Sequence, residues 1–232
     1  MLILSVETSA VSASCALLED DKIIGEYFIN NRLTHSKTLV PMIENMLKIA
    51  EISIEQVDLF AVSIGPGSFT GLRIGIATIK GIVAPLDKPC IGVSTLEALA
   101  QNVVMHNGLI CCVMDARCEQ IYNALFMSDG NNIERICDDR AISIKELSNE
   151  LEKFSKKKII LVGDGANLCY NHIRTNNNVS LATPLLLFQK ASSVALLAKK
   201  LFNEDKSITS NELKPLYLRL PQAVRELKNK GV

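Results

Sequence analysis

Two stretches of this chain hold residue types whose spacing could do chemistry: Glu7-Thr8-Ser9, and Ser63-Ile64-Gly65-Pro66-Gly67-Ser68-Phe69-Thr70-Gly71. A carboxylate and two hydroxyls set directly after an apolar run are one way to hold a metal-bound phosphate. The same residues also make an ordinary turn, because Thr and Ser bond their own backbone. In the second stretch, Gly65-Pro66-Gly67 cannot continue the apolar run Leu59 to Ile64. Pro66 pushes Gly65 toward extended angles, and Gly67 permits a positive φ. Ser68 can then cap a helix running to about Ala84. A strand, a glycine turn and a helix N-terminus present free N–H groups to an anion. Glu7, Thr8, Ser9, Gly65, Gly67 and Ser68 are therefore the candidate phosphate-binding residues, kept as a vestige or still in use. A tight turn with close packing accounts for the same glycines, and both readings stay open.

The elements that would position these residues follow from periodicity. Leu2 to Val6 reads as a buried strand, with Val11–Leu18 and Ile23–Ile29 completing a three-strand meander around the acidic turn Glu19-Asp20-Asp21. From Thr34 to Ala50, Leu39, Met42, Ile43, Met46, Leu47 and Ala50 follow helical spacing, with Pro41 near the start. Two methionines on that stripe suit an adaptable contact surface, and plain core explains them too. His35 reads as a cap or a surface contact. In the helix after the glycine turn, Gly71, Gly75, Thr78 and Gly81 share one face, and Leu72, Ile76, Ile79 and Val83 share the other. Glycine inside a helix costs about 0.5–1 kcal/mol relative to alanine, so such a face implies close approach by another backbone. Pro89 to Val93 reads as a strand, followed by a helix capped by Ser94 or Thr95 with Glu97 placed for a capping box. This strand–helix alternation implies a parallel extension of the sheet.

Leu109 to Met114 is another buried strand, and a lobe boundary falls near Asn107-Gly108. Ile121–Met127 and Ile133–Cys137 form a hairpin, Ser143 to Phe154 a short amphipathic helix, and Ile159–Val162 a strand ending in Gly163-Asp164-Gly165. That turn lacks the spacing of a dinucleotide fingerprint. Asn176-Asn177-Asn178 reads as a loop, and Ser192 or Ser193 as the cap of a helix carrying Val194, Leu197, Ala198 and Leu201. Leu213 to Arg219 reads as extended, and Gln222 to Lys228 as a last helical turn or two. No short-period repeat is visible.

The 232 residues fit two compact lobes, 1–106 and 107–232. Net charge is zero and there is no tryptophan, so neither a large nucleic-acid footprint nor a stacking platform is evident. Lys156-Lys157-Lys158 and Lys199-Lys200 read as solvated faces. Seven cysteines at irregular spacing, without a CxxC, read as reduced thiols of a cytoplasmic protein. The apolar start meets Glu7 at once, which is neither a signal peptide nor a membrane span.

ILSVETS, GPGSFTGLRIG, IGVSTLEAL, MDAR, VGDG and PLYLR occur in that order. Together they resemble the TsaB (YeaZ) family of bacterial tRNA threonylcarbamoyladenosine biosynthesis proteins, over nearly the whole chain. GPGSFTGLRIG followed by GVSTL is the specific part. The resemblance implies an α/β fold of two lobes, the actin-like ATPase (sugar kinase, heat-shock and actin) fold, with mixed sheets and a reduced second lobe. It implies a non-catalytic subunit needed for threonylcarbamoyladenosine formation next to the tRNA anticodon. The partners it implies are a TsaD-like catalytic transferase and a TsaE-like ATPase, with tRNA met through the complex, a homodimer when alone, and no membrane. The catalytic relatives carry a metal-binding HxxxH on the helix after the strand that follows the glycine loop; here Thr95 and Leu99 stand at those positions. Leucine cannot ligate a metal. His35, His106 and His172 include no pair at ligand spacing. No catalytic residue, metal or cofactor is therefore assigned to this chain. Many family members have Asp where this chain has Glu7.

The resemblance also implies that the pairing surface lies on the first two helices. Carried over by position, its residues are Leu39, Met42, Ile43, Met46, Leu47, Gly71, Leu72, Gly75, Ile76 and Ile79. On that reading Gly75→Leu leaves the lobe folded and blocks pairing. Two other functions compete. One is an ATP-dependent phosphotransferase of the actin-like fold using Glu7-Thr8-Ser9 and the glycine turn; no adenosine-binding glycine motif in the short second lobe supports it. The other is direct tRNA binding, against which the neutral charge argues.

Overall fold

The computed structural model describes residues 1–31, 33–173 and 178–219. The first sheet is built from β1 (Leu2–Glu7), β2 (Ala13–Glu19), β3 (Lys22–Ile29), β4 (Leu59–Gly65) and β5 (Cys90–Ser94), in the order β3-β2-β1-β4-β5. The meander is antiparallel, and β4 and β5 extend it in parallel. Between β3 and β4 lies α1 (His35–Ala50); between β4 and β5 lies α2 (Phe69–Val83). Both helices pack on one face of the sheet, because their apolar stripes meet Leu4, Val6, Cys15, Leu17, Phe60 and Val62.

α3 (Thr95–Gln101) leads to the second sheet: β6 (Asn107–Asp115), β7 (Gln120–Asp129), β8 (Ile133–Arg135), β9 (Arg140–Ser143), β10 (Ile159–Val162) and β11 (Val179–Leu181). Its order is β11-β10-β6-β7-β8, with β9 also on β7. Again an antiparallel meander is extended by parallel strands, here β10 and β11. The two sheets therefore repeat one topology, a duplication that the sequence hides. Two short helices, α4 (Ile144–Leu151) and α5 (Ala166–Ile173), accompany this sheet. Residue 107, the expected boundary, is where the second sheet begins.

The rest of the expected second lobe does not stay there. α6 (Ala191–Asn203) crosses back and packs on the other face of the first sheet, where Val194, Ala195, Leu197 and Ala198 meet Ile3, Leu18, Leu59, Ala61, Ile91 and Val93. Its cap also departs from expectation. Lys190, not Ser192 or Ser193, is the N-cap, and its side chain makes no cap bond. The first-turn N–H groups are satisfied from the sheet: Ala191 donates to Ser14 Oγ at 2.9 Å and Ser192 to Glu26 Oε1 at 2.8 Å. At α3 only half of the expected capping box forms. Ser94 Oγ accepts from Glu97 N at 3.1 Å, but the Glu97 carboxylate turns to Arg135 at 2.7 Å. Gln222–Lys228 and Asn176–Asn177 lie outside the described residues.

Candidate functional site

β1 and β4 run in parallel, so Glu7-Thr8-Ser9 and the glycine turn emerge side by side. Glu7 is fully buried. Its Oε1 accepts from Ser9 N at 2.5 Å, and its Oε2 accepts from the hydroxyl of Ser63 on β4. Burial pushes the Glu7 carboxyl above its ordinary range, and the Ser63 and Ser9 donors oppose that shift. Thr8 Oγ1 donates to the Gly71 carbonyl at 2.8 Å. Ser68 N donates to the Ser9 carbonyl at 2.7 Å, and Ser68 Oγ accepts from Gly71 N at 3.3 Å, making the expected cap. The Ser9 hydroxyl is buried with no partner among the described groups. His35 meets the Ala10 carbonyl through Nε2 at 2.8 Å, so it ties α1 to the turn after β1.

The structure thus brings all six candidate phosphate residues together. The space around them is largely taken by the chain itself. A Cβ at Gly67 would collide with Ser9, and one at Gly65, whose φ is +131°, with the Leu216 carbonyl. Leu216 N in turn donates to the Ile64 carbonyl at 2.7 Å. A phosphate cradle needs open space and unspent N–H groups at this point. Here the Ser68 and Gly71 amides are already bonded, and the Leu216 carbonyl covers Gly65.

Sequence reasoning missed two groups close to Glu7 and Asp115, the side chains of Asp164 and Gln189. Asp164 follows β10 and is half-buried; Gln189 Nε2 donates to its Oδ1 at 3.0 Å. Burial pushes the Asp164 carboxyl up to about 6, and the charges of Asp115 and Glu7 push the same way. Gln189 is buried and its Oε1 has no partner among the described groups. Gly163-Asp164-Gly165 was the only signal for this corner, and it gave no indication of Gln189.

Of the ten expected interface residues, nine are buried and Leu47 is half-buried. Leu39, Met42, Ile43, Met46, Ile76 and Ile79 are buried in the first lobe's own core, and Leu72 is completely enclosed. Leu47 is half-buried against the same core. Gly71 and Gly75 also face inward: a Cβ at either would strike Thr8. Gly81, expected on the same face, points to open space. The close approach that the glycines allow is thus to the end of β1. The outward sides carry other residues: Val40, Glu44, Lys48 and Ile49 on α1, and Thr70, Arg73, Ala77 and Gly81 on α2.

Thr95 is fully buried and Leu99 lies in the second lobe's core beside Gly163. A hydrocarbon and one enclosed hydroxyl do not fit a metal. Among the described residues no group of three His, Cys, Asp or Glu side chains is placed to hold one. Five of the seven thiols are buried, and burial pushes those of Cys111 and Cys112 far up, which leaves them unreactive. Among the described residues no helix is long and apolar enough to cross a membrane.

A duplicated meander-plus-parallel sheet, with a returning helix behind the first copy, defines the actin-like ATPase class. Residues 22–226 match the family model described as TsaD, tRNA N6-adenosine threonylcarbamoyltransferase. The chain is 29% identical over 225 residues to the tRNA threonylcarbamoyladenosine biosynthesis protein TsaB of Bacillus subtilis, covering 96% of each. It is 28% identical over 232 residues to TsaB of Escherichia coli, covering 99% of this chain and 100% of that one. The solved structure of YeaZ from Pseudomonas aeruginosa superposes with a TM-score of 0.81 at 23% identity, over 94% of this chain and 99% of that one. The chain belongs to the TsaD family, within its TsaB (YeaZ) branch.

Proposed function

We propose that this chain is a non-catalytic subunit in threonylcarbamoyladenosine formation on tRNA, and that it works by pairing with a TsaD-like transferase. The observation that carries the reading is the helix position where the transferase's second metal-binding histidine would stand: it is Leu99, sealed in the core. The glycine turn, filled by Ser9 and Leu216, acts as a structural clasp between β1, β4 and α2 rather than as a nucleotide cradle. The TsaE-like ATPase joins the pair, and tRNA is met through the complex. Without its partner the chain pairs with a second copy through the same face.

That face is the outward side of α1 and α2, beside rather than through the residues first assigned to it. Ala77 and Gly81 are exposed and small, so a partner helix can approach closely there. The test is size-exclusion chromatography of the purified chain mixed with the TsaD-like transferase. Wild type co-elutes with it; Ala77→Arg, which changes only exposed surface, stays folded and elutes alone. Co-elution of the folded Ala77→Arg protein at wild-type strength overturns the assignment of this face.

A further inference from the structure

The Pro215-Leu216-Tyr217-Leu218-Arg219 motif holds on to both lobes. Leu213 is buried in the first lobe's core. Just before it, Asn211 accepts at its carbonyl from Lys80 Nζ near the end of α2, at 3.2 Å. Leu216 then bonds to Ile64 at the glycine turn. The Tyr217 ring stacks on Phe69, the first residue of α2, with centroids 4.3 Å apart. Its hydroxyl accepts from Arg73 Nε at 2.8 Å. Arg73 is exposed on the outward side of α2. Two residues later, Arg219 reaches the other lobe: its guanidinium donates to the carbonyls of Ala116 and Arg117.

Those carbonyls belong to the turn between β6 and β7, directly after Asp115. Arg117, Cys118 and Glu119 follow one another at φ of 66°, 55° and 54°. Three consecutive side-chain-bearing residues in the left-handed region are costly, so the turn depends on outside support. Two extended residues span about 7 Å at most. A shift of Tyr217 by more than a small fraction of that must move Arg219 or break its grip.

We propose that Leu213–Arg219 is a strap that couples the outward face of α2 to the β6–β7 turn of the second lobe. Arg73 and Tyr217 sense that face, and Arg219 delivers the change to residues 115–120. A partner that engages Arg73 therefore sets the order of a turn in the opposite lobe.

The test is hydrogen exchange of residues 115–120, followed by mass spectrometry on the full chain, with labelling of the exposed Cys118 thiol as a second readout. Arg219→Ala removes the grip and speeds exchange there about tenfold, the scale of one lost charge-assisted hydrogen bond. Tyr217→Ala and Arg73→Ala, both changes in the first lobe, speed the same segment several-fold. The Tyr217→Ala, Arg219→Ala double variant is no faster than Arg219→Ala. Tyr217→Phe, which keeps the stacked ring, gives a smaller rise at unchanged melting temperature. Wild-type exchange at 115–120 in both Tyr217→Ala and Arg73→Ala overturns the coupling. A second arm rests on the functional reading above: adding the TsaD-like transferase slows exchange at 115–120 in wild type and not in Arg219→Ala. A complex that forms without this protection overturns the coupling; failure to form any complex overturns the functional reading and leaves the first arm standing.

Discussion

Replacing Asp164 with Asn removes a charge that the fold holds at a cost. The carboxylate sits half-buried, with Gln189 as its hydrogen-bond donor and with Asp115 and Glu7 as like charges nearby. Its pKa rises from 3.8 to about 6, mainly through burial. A raised carboxyl pKa means that the folded state binds the proton more tightly than the unfolded one. The associated stability is complete below about pH 3.8 and is lost as pH climbs through about 6. The shift of roughly two units corresponds to about 3 kcal/mol, an upper bound for a group with partial access to water. Asn keeps the shape and still accepts from Gln189, so Asp164→Asn escapes the loss. Its advantage over wild type is expected to be near zero at pH 4 and to grow to about 2–3 kcal/mol at pH 7. For a chain of this size that is a melting-temperature gain of roughly 4–10 °C. Paired thermal melts of the two proteins across pH 4 to 8 give the curve directly. A difference that stays flat with pH, or a less stable Asn variant at pH 7, refutes the assignment of this carboxyl.

Gly75→Ala is expected to destabilise the first lobe by about 1–3 kcal/mol in denaturant titration, because the new Cβ meets Thr8; this reverses the expectation that a side chain at Gly75 leaves the lobe folded. Ile79→Ala is expected to lower stability by about 2–5 kcal/mol in the isolated chain, as a core truncation does; loss of pairing at unchanged stability would contradict the placement of Ile79 in the core. Ser63→Ala leaves Glu7 Oε2 without its donor and is expected to cost about 1–3 kcal/mol at pH 7. Chemical denaturation of the variant beside wild type gives that loss directly.

Most of the fold was legible because its elements are periodic. The stripe Leu39, Met42, Ile43, Met46 identifies α1, and Gly65-Pro66-Gly67-Ser68 marks the start of α2. The same stripe was open to two readings, plain core and a contact surface carried over from the resemblance. An apolar stripe shows which side of a helix is buried without showing what buries it, and here the first sheet does so. The outward residues Ala77 and Gly81 carry no such pattern. β9 and β11 were missed because three or four residues are too few to show alternation. The true caps of α6 were invisible because Ser14 and Glu26 lie over 160 residues away in the chain. At the candidate site, Glu7 and Ser68 were readable from local order, whereas Ser63, Gln189 and Leu216 take part only through tertiary contact. The duplication of the two sheets left no trace in residue identity, since only pairing order is repeated.

The most direct measurement is reconstitution of threonylcarbamoyladenosine formation on tRNA from threonylcarbamoyl-adenylate, ATP and purified TsaD-like transferase and TsaE-like ATPase, read as modified nucleoside by mass spectrometry. Product is expected when wild-type chain is added, and only background when the chain is omitted or supplied as folded Ala77→Arg. Full product without the chain, or modified nucleoside made by this chain alone, contradicts the account.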